Sequence, residues 1–174
     1  MYAQGNVDLL GRMHNLPVLT VVGTRSASEY GSRVAENMSY DLAQAGFLIV
    51  SGLALGIDSY AHSGALRAGK RTVAVLGSGL DTDYPPQSAP MRKQILATGG
   101  VVLTDLEPSV PVRGAYFPAR NRLLAGLRQG VLVVEAPPPS RSLLTASPAL
   151  EQDQEGFADP SELYDTNTAG TLST

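Results

Sequence analysis

The 174-residue chain has no cysteine and no tryptophan, and only two histidines. Lack of cysteine excludes a disulfide framework, a thiolate metal site and a cysteine nucleophile, and fits a reducing compartment. No stretch approaches the ~18 consecutive apolar residues that span a bilayer. Met1 to Leu10 lacks a basic segment followed by an apolar run, so no signal peptide is expected and the cytoplasm is the expected location. Bases are missing from the end of the chain: all 13 Lys and Arg lie at or before Arg141. Up to that point the chain carries +3; the six acids beyond it, Glu151 to Asp165, give an acidic tail of −6. The total of −3 therefore hides a mildly basic body.

Apolar segments alternate between two periods. Pro17 to Gly23, Phe47 to Ser51, Arg71 to Gly77, Val101 to Leu106 and Val131 to Ala136 read as short buried strands. Tyr30 to Ala45, Ile57 to Ala68, Ser88 to Ala97 and Asn121 to Arg128 read as helices, with Gly46, Gly69 and Gly99 as stops. The proline-rich stretch 107–119 reads as a long loop. Ser142 to Glu155 reads as a helix kinked at Pro148, followed from Gly156 by one weak strand and a tail. Residues 1–16 show no clear period and are taken as an opening segment, 17–160 as one domain and 161–174 as a tail. Strands alternating with helices imply an α/β fold: a doubly wound, mainly parallel sheet with helices on both faces. Ligands of such sheets bind at the carboxyl ends of the strands, where strand order reverses.

Glycine and serine gather at those ends: Gly23-Thr24-Arg25, Ser51-Gly52-Leu53-Ala54-Leu55-Gly56, and Gly77-Ser78-Gly79. One such turn is ordinary tight-turn chemistry. Three on one edge, leading into helix N-termini, favour a phosphate-bearing ligand. The G-x-G-x-x-G fingerprint and a Walker lysine are both missing, so NAD binding and ATP hydrolysis are disfavoured and no cofactor is expected. Arg25 follows a buried strand, and Arg120 and Arg122 flank Asn121 in F-P-A-R-N-R, just after Tyr116 and Phe117. Guanidiniums beside aromatics suit single-stranded nucleic acid, whose bases stack while cations track phosphates. Core packing of Phe117 and ordinary surface charge account for the same residues equally well. Asp58 and His62, four apart, share a helix face; a structural hydrogen bond is favoured over a metal or catalytic pair because no third ligand or nucleophile accompanies them. No catalytic residues and no metal site are assigned.

Taken together, V-V-G-T-R-S-A-S-E-Y-G (21–31), V-S-G-L-A-L-G-I-D-S-Y-A-H (50–62), A-V-L-G-S-G-L-D-T-D-Y-P-P (74–86), F-P-A-R-N-R-L-L-A-G-L (117–127) and V-L-V-V-E-A (131–136) resemble the DprA/Smf family in order and spacing. The resemblance implies an extended Rossmann-like fold, a homodimer, single-stranded DNA binding, and delivery of that strand to the RecA recombinase in natural transformation, without catalytic activity. It suggests Gly23, Arg25, Ser51, Gly52, Phe117, Arg120, Asn121 and Arg122 as the DNA-binding set. Leu55 stands where the family usually has arginine, and Arg141 where it has glycine. The competing class is a lysine-decarboxylase-like phosphoribohydrolase on a related fold. That group carries a P-G-G-x-G-T-x-x-E loop, whereas the corresponding late segment here, R-N-R-L-L-A-G-L, has no such glutamate.

Overall fold

Residues 1–16 join the sheet. β1 (Tyr2–Gly5) is a short strand, followed by helix α1 (Asp8–Arg12) and a 3-10 turn at Met13–Asn15. Four residues are too few to display a period, and β1 is largely exposed on an edge, so its apolar content says little. The computed structural model describes residues 1–127 and 130–135, and the backbone of 155–158.

From there β and α alternate: β2 (Val18–Gly23), α2 (Glu29–Gln44), β3 (Leu48–Ser51), α3 (Ile57–Arg67), β4 (Thr72–Val75), α4 (Ala89–Ala97), β5 (Val101–Thr104), α5 (Tyr116–Gly126), β6 (Gly130–Val134) and β7 (Glu155–Ala158). The strands form one sheet in the order β1-β5-β4-β3-β2-β6-β7; only β1 runs antiparallel, against β5. The expected doubly wound α/β architecture is present. The expected helix at 142–155 with its Pro148 kink, and the tail 161–174, lie outside the described residues apart from Glu155, the first residue of β7.

Each run became a strand because both its faces are covered. On one face Leu19, Val21, Ile49, Leu132 and Val134 pack on Ala35, Ala43, Ile57, Ala61 and Ala65 of α2 and α3, and Ala74 and Val102 pack on Ile95 of α4. On the other face Val18, Val22, Val50, Val73, Val75, Val131 and Val133 pack on Leu9 and Leu124 of α1 and α5. Small alanines on α2 and α3 let both helices lie close to the sheet. Ser28 caps α2 by accepting the Gly31 N–H at 2.9 Å, and Gly46, at φ +100°, ends it in the left-handed region.

One expectation needs correction. The stretch 107–119 is not loop throughout: α5 begins at Tyr116 and takes in Pro118. Proline in the first turn forfeits no intrahelical hydrogen bond, because those N–H groups have no partner within the helix anyway. Among the described residues no helix is long and apolar enough to cross a membrane.

Candidate functional site

The chain runs from β2 outward through β3, β4 and β5, then returns to β6 on the other side of β2. Strand order thus reverses between β2 and β6, where a ligand crevice is expected. That position is filled by the protein itself. Glu135, just past β6, is 2% exposed, and both its carboxylate oxygens accept the Ser28 N–H, at 3.0 and 2.9 Å. Its carbonyl accepts the Thr24 N–H at 2.9 Å. A side chain at Gly31 would collide with the Glu135 carboxylate, and one at Gly23 with the Val134 carbonyl and Ile57. The N-terminus of α2 already holds an anion, so it has no free place for a phosphate.

The α3 N-terminus is also engaged. Ile57 N–H donates to the Thr24 carbonyl at 3.1 Å, and the Asp58 carboxylate turns back to accept the Ala54 N–H at 3.3 Å. Gly56, at φ +73°, allows this docking: a Cβ there would strike the Thr24 and Arg25 backbone. At α2 the place expected for an anionic ligand is thus taken by Glu135; at α3 one N–H of the first turn, that of Ile57, is taken by Thr24.

The open space lies at the ends of β3 and β4. Arg25, Gly52, Ala54, Leu55, Gly77, Ser78, Tyr84, Pro85, Phe117 and Arg120 enclose a pocket of about 100 Å³. Helix α5 delivers Arg120 through ordinary core periodicity. Arg120, Asn121, Leu124 and Ala125 are its buried positions, so the stripe that packs on the sheet carries a guanidinium at its pocket end. Arg120 Nη1 donates to the Gly52 carbonyl at 2.6 Å and the Val75 carbonyl at 2.8 Å, and Nε donates to Asn121 Oδ1 at 3.1 Å. A side chain at Gly52 would overlap Arg120 Nη1, so that glycine is what admits the arginine.

Asp58 lies beneath this arginine, 5% exposed. Burial pushes its carboxyl above the usual aspartate range, while Arg120, the Ala54 N–H, Ser51 and Arg25 pull the other way. Burial likewise lowers the Arg120 pKa, with Asp58 opposing. Arg25 spans the pocket mouth, exposed, its guanidinium carbon 5.0 Å from the centre of the Phe117 ring in a cation–π contact. Ser78 is 1% exposed, and its Oγ has no hydrogen-bond partner among the described residues. A buried hydroxyl left this way is costly unless a ligand or water completes it.

The predicted residues divide accordingly. Arg25, Gly52, Phe117 and Arg120 meet at the pocket. Asn121 stands behind Arg120 and orients it. Ser51 is fully buried, its hydroxyl donates to the Val21 carbonyl at 2.7 Å, and it does not line the pocket. Gly23 lies at the plugged β2–β6 junction, and Arg122 is exposed and does not line the pocket. Ala54, Leu55, Gly77, Ser78, Tyr84 and Pro85 line it without having been singled out as site residues. The G-S-G-L-D-T-D-Y-P-P segment was visible as a third glycine cluster; that its far end folds back over the pocket was not.

His62 and Asp58 make separate bonds. Thr72 Oγ1 donates its proton to the Ile49 carbonyl at 2.8 Å, so its contact with His62 Nδ1 at 2.9 Å is accepted from an Nδ1–H. Nε2 is then unprotonated, and it has no partner among the described residues. Burial, helped by Arg120, lowers the His62 pKa to about 3. Each residue is held by a hydrogen bond of its own, Asp58 with the Ala54 N–H and His62 with Thr72, rather than by one between the two.

The comparisons with known proteins agree with this architecture. The family model for DNA recombination-mediator protein A matches residues 1–174. The Synechocystis protein Smf is 46% identical over 92% of this chain and 40% of its own length. The crystal structure of DNA processing protein A from Streptococcus pneumoniae superposes with a TM-score of 0.89 at 38% identity, over 98% of this chain and 58% of that one. The Helicobacter pylori protein, whose structure concerns its single-stranded DNA binding mode, superposes with a TM-score of 0.87 at 29% identity, over 99% of this chain and 77% of that one. The chain spans about half the length of the curated relatives it matches.

Proposed function

This chain belongs to the DNA recombination-mediator protein A family, the DprA/Smf group, and from that footing we propose that its pocket binds single-stranded DNA, seating a backbone phosphate among Arg25, Arg120 and Ser78. The observation that carries the reading is the buried Ser78 hydroxyl, unpartnered among the described residues, in the same small pocket as two guanidiniums. A phosphate oxygen would satisfy the hydroxyl, and the cations would neutralise its charge. The pocket, at about 100 Å³, is far smaller than the roughly 300–1,000 Å³ of a small-molecule site. It fits one backbone group rather than a whole nucleotide.

Of the eight residues expected to bind DNA, Arg25, Gly52, Phe117 and Arg120 form the contact set in this reading. Asn121 orients Arg120, Ser51 and Gly23 shape the sheet edge, and Arg122 adds charge from outside. The Helicobacter pylori relative, with its single-stranded DNA binding mode, supports the ligand class. The proposal extends to a cytoplasmic, non-catalytic homodimer that passes the strand to the RecA recombinase.

The test is binding of labelled oligonucleotides across a salt series. Single strands should bind more tightly than duplexes at matched salt. Arg25→Ala should weaken binding and flatten the plot of log affinity against log salt by roughly 0.7, the contribution of one single-strand phosphate contact. Equal affinity for both strand forms, together with an Arg25→Ala variant of unchanged affinity and slope, overturns the reading.

A further inference from the structure

Helix α4 buries two residues, Ile95 and Arg92. Ile95 is what a sheet-facing stripe calls for, and it packs with Ala74 and Val102. Arg92 is not. It is 9% exposed, and a cation out of water is unfavourable unless its donors find acceptors. Nη2 donates to the Leu80 carbonyl at 2.6 Å and to Gln4 Oε1 at 2.7 Å, and Nη1 donates to Asp83 Oδ1 at 3.0 Å. An aliphatic side chain would fill the same position without these demands. Packing therefore does not account for the arginine; what it joins does.

Register explains how Gln4 comes within reach. On β1 it stands opposite Val102 of β5. Opposed residues of an antiparallel pair point to the same face of the sheet, and Val102 packs on Ile95 of α4. Arg92 lies three residues before Ile95, hence on the same side of that helix. A slip of one residue in β1 would turn Gln4 to the opposite face. β1 is a four-residue edge strand, mostly exposed and paired with β5 on one side. A short exposed strand of this kind opens locally at low cost.

The other two acceptors belong to one loop. Gly77 and Ser78 start it at the end of β4, and Tyr84 and Pro85 bring its far part back to the pocket. Its first part is also held by the segment 107–110: the Asp81 N–H donates to the Pro108 carbonyl at 3.0 Å and the Gly79 N–H to the Val110 carbonyl at 3.4 Å. Arg92 adds anchors at Leu80 and at Asp83, the residue before Tyr84.

We propose that Arg92 is a positioning residue for the pocket, and that through Gln4 it makes the placement of this loop depend on β1 being seated on the sheet edge. The inference rests on the single-stranded DNA reading above and concerns the regulation of that site, not its contacts: neither Arg92 nor Gln4 lines the pocket. With β1 in place, Gln4 fixes the guanidinium and the guanidinium fixes the loop. With β1 displaced, Arg92 loses an acceptor, and the loop samples positions in which the pocket lining is not assembled. Binding then falls by the fraction of chains with the loop in place, while the number of phosphates held stays the same.

The test is amide hydrogen exchange on the free and the DNA-saturated chain, beside oligothymidylate binding across a salt series, for wild type, Gln4→Leu, Gln4→Glu, Arg92→Met and Arg25→Ala. Gln4→Leu removes the acceptor at an exposed position, so the fold should persist. Exchange at Asp81, Thr82 and Ser88 should rise, while that at Thr24 and Ile57 stays as in wild type. Affinity should fall ~2- to 10-fold, the population shift that one hydrogen bond of ordinary net worth can hold, at an unchanged salt slope. Saturating oligothymidylate should restore protection of the loop, because coupling between two events is reciprocal. Gln4→Glu keeps an acceptor oxygen and should leave exchange in the loop at the wild-type level. Arg92→Met should raise exchange in the same loop by more than Gln4→Leu does. The positioning role is overturned if Gln4→Leu leaves loop exchange and affinity unchanged, if exchange rises alike throughout the fold, or if Gln4→Glu behaves as Gln4→Leu. Wild type and Arg25→Ala keep the failures apart. With their expected behaviour intact, an indifferent Gln4→Leu sinks the Arg92 link alone; no single-strand binding by wild type sinks the DNA reading and the link with it.

Discussion

At the β2–β6 junction the chain meets itself, whereas at the ends of β3 and β4 it leaves room. Both places use the same local devices. Each has a glycine where a side chain would collide, Gly31 in one and Gly52 in the other. Each has a non-glycine residue in left-handed backbone, Glu135 at φ +52° and Leu53 at φ +56°, a conformation that costs roughly 1–2 kcal/mol. The difference lies in what the glycine admits. Gly31 makes way for a carboxylate, which closes the α2 N-terminus; Gly52 makes way for a guanidinium, which leaves a cationic wall. Topology alone favours the first place for a ligand. The sign and position of two buried side chains move the site two strands away.

The comparison breaks most severely at Arg120. Arg120→Met removes the cation above buried Asp58 and orphans the Gly52 and Val75 carbonyls. Leaving buried acceptors unpaired costs about 1–3 kcal/mol each, and Asp58 loses a nearby positive charge as well. Denaturant unfolding should show a loss of that size near neutral pH. It should shrink on acidification, because protonated Asp58 no longer needs the cation. Asp58 itself, with a folded-state pKa raised by burial, favours the folded state at low pH, and its contribution declines as pH rises from 3.8 through the raised value. If the Arg120→Met loss is independent of pH, the two groups are not coupled.

The plugged end should be the next most sensitive. Glu135→Ala leaves the half-buried Ser28 N–H without its acceptor and exposes the α2 dipole to a void, for about 1–3 kcal/mol. Glu135→Gln keeps one acceptor oxygen and should cost about half as much, again read by denaturant unfolding. Equal losses in the two variants would mean that the side chain acts by filling space rather than by accepting the hydrogen bond.

His62 separates the two regions by pH. Its pKa falls from 6.5 in the unfolded chain to about 3 when folded, so the unfolded chain binds the extra proton between those values. Stability from this group is complete above 6.5 and lost as pH drops toward 3, at up to about 1.4 kcal/mol per pH unit. Asp58 runs the opposite way over part of this window, which dilutes the slope in wild type. His62→Gln should therefore reduce, or even reverse, the rise of stability with pH between 4 and 6. An unchanged slope would show that His62 remains protonated in the fold.

Strands and helices from β2 to β6 were legible because their periods are strong and their glycine stops sit in left-handed turns. The elements misjudged were those where a short-range rule was used alone. β1 was too short for a period, and Pro118 suggested a loop although the first helical turn tolerates it. Of the pocket lining, Arg25 was singled out by its place after a strand and Arg120 by its place in F-P-A-R-N-R behind two aromatics. Ser51 was misjudged, because a serine that ends a strand can turn inward to Val21 as easily as outward. Glu135 escaped notice because its role depends on β6 lying beside β2, a neighbour more than a hundred residues away in the chain. Tyr84 escaped for a similar reason: its loop is held by Arg92 of α4, which bonds the Leu80 carbonyl and Asp83.

The smallest effect sharpens the account of the plugged end. Glu29 is the acidic residue in the first turn of α2, and its ion pair with Arg33, at 3.0 Å, is exposed, with side chains 85% and 65% accessible. Such a pair is worth about 0.3–0.5 kcal/mol. Glu29 also faces the same helix dipole that Glu135 already neutralises through Ser28. Two anions at one helix end share a single benefit and repel each other, so Glu29→Gln should cost little in wild type. In a Glu135→Gln background the dipole is no longer neutralised, and Glu29 becomes its main anionic partner. Glu29→Gln should then cost about 0.5 kcal/mol more than in wild type at low salt, within the range of first-turn charge effects. The excess should fade as salt rises, because Glu29 is in solvent. A double-mutant cycle by urea unfolding at two ionic strengths measures it. If Glu29→Gln costs the same in both backgrounds, Glu135 is not the charge that occupies the α2 N-terminus, and the contrast between a plugged edge and an open one loses its electrostatic half.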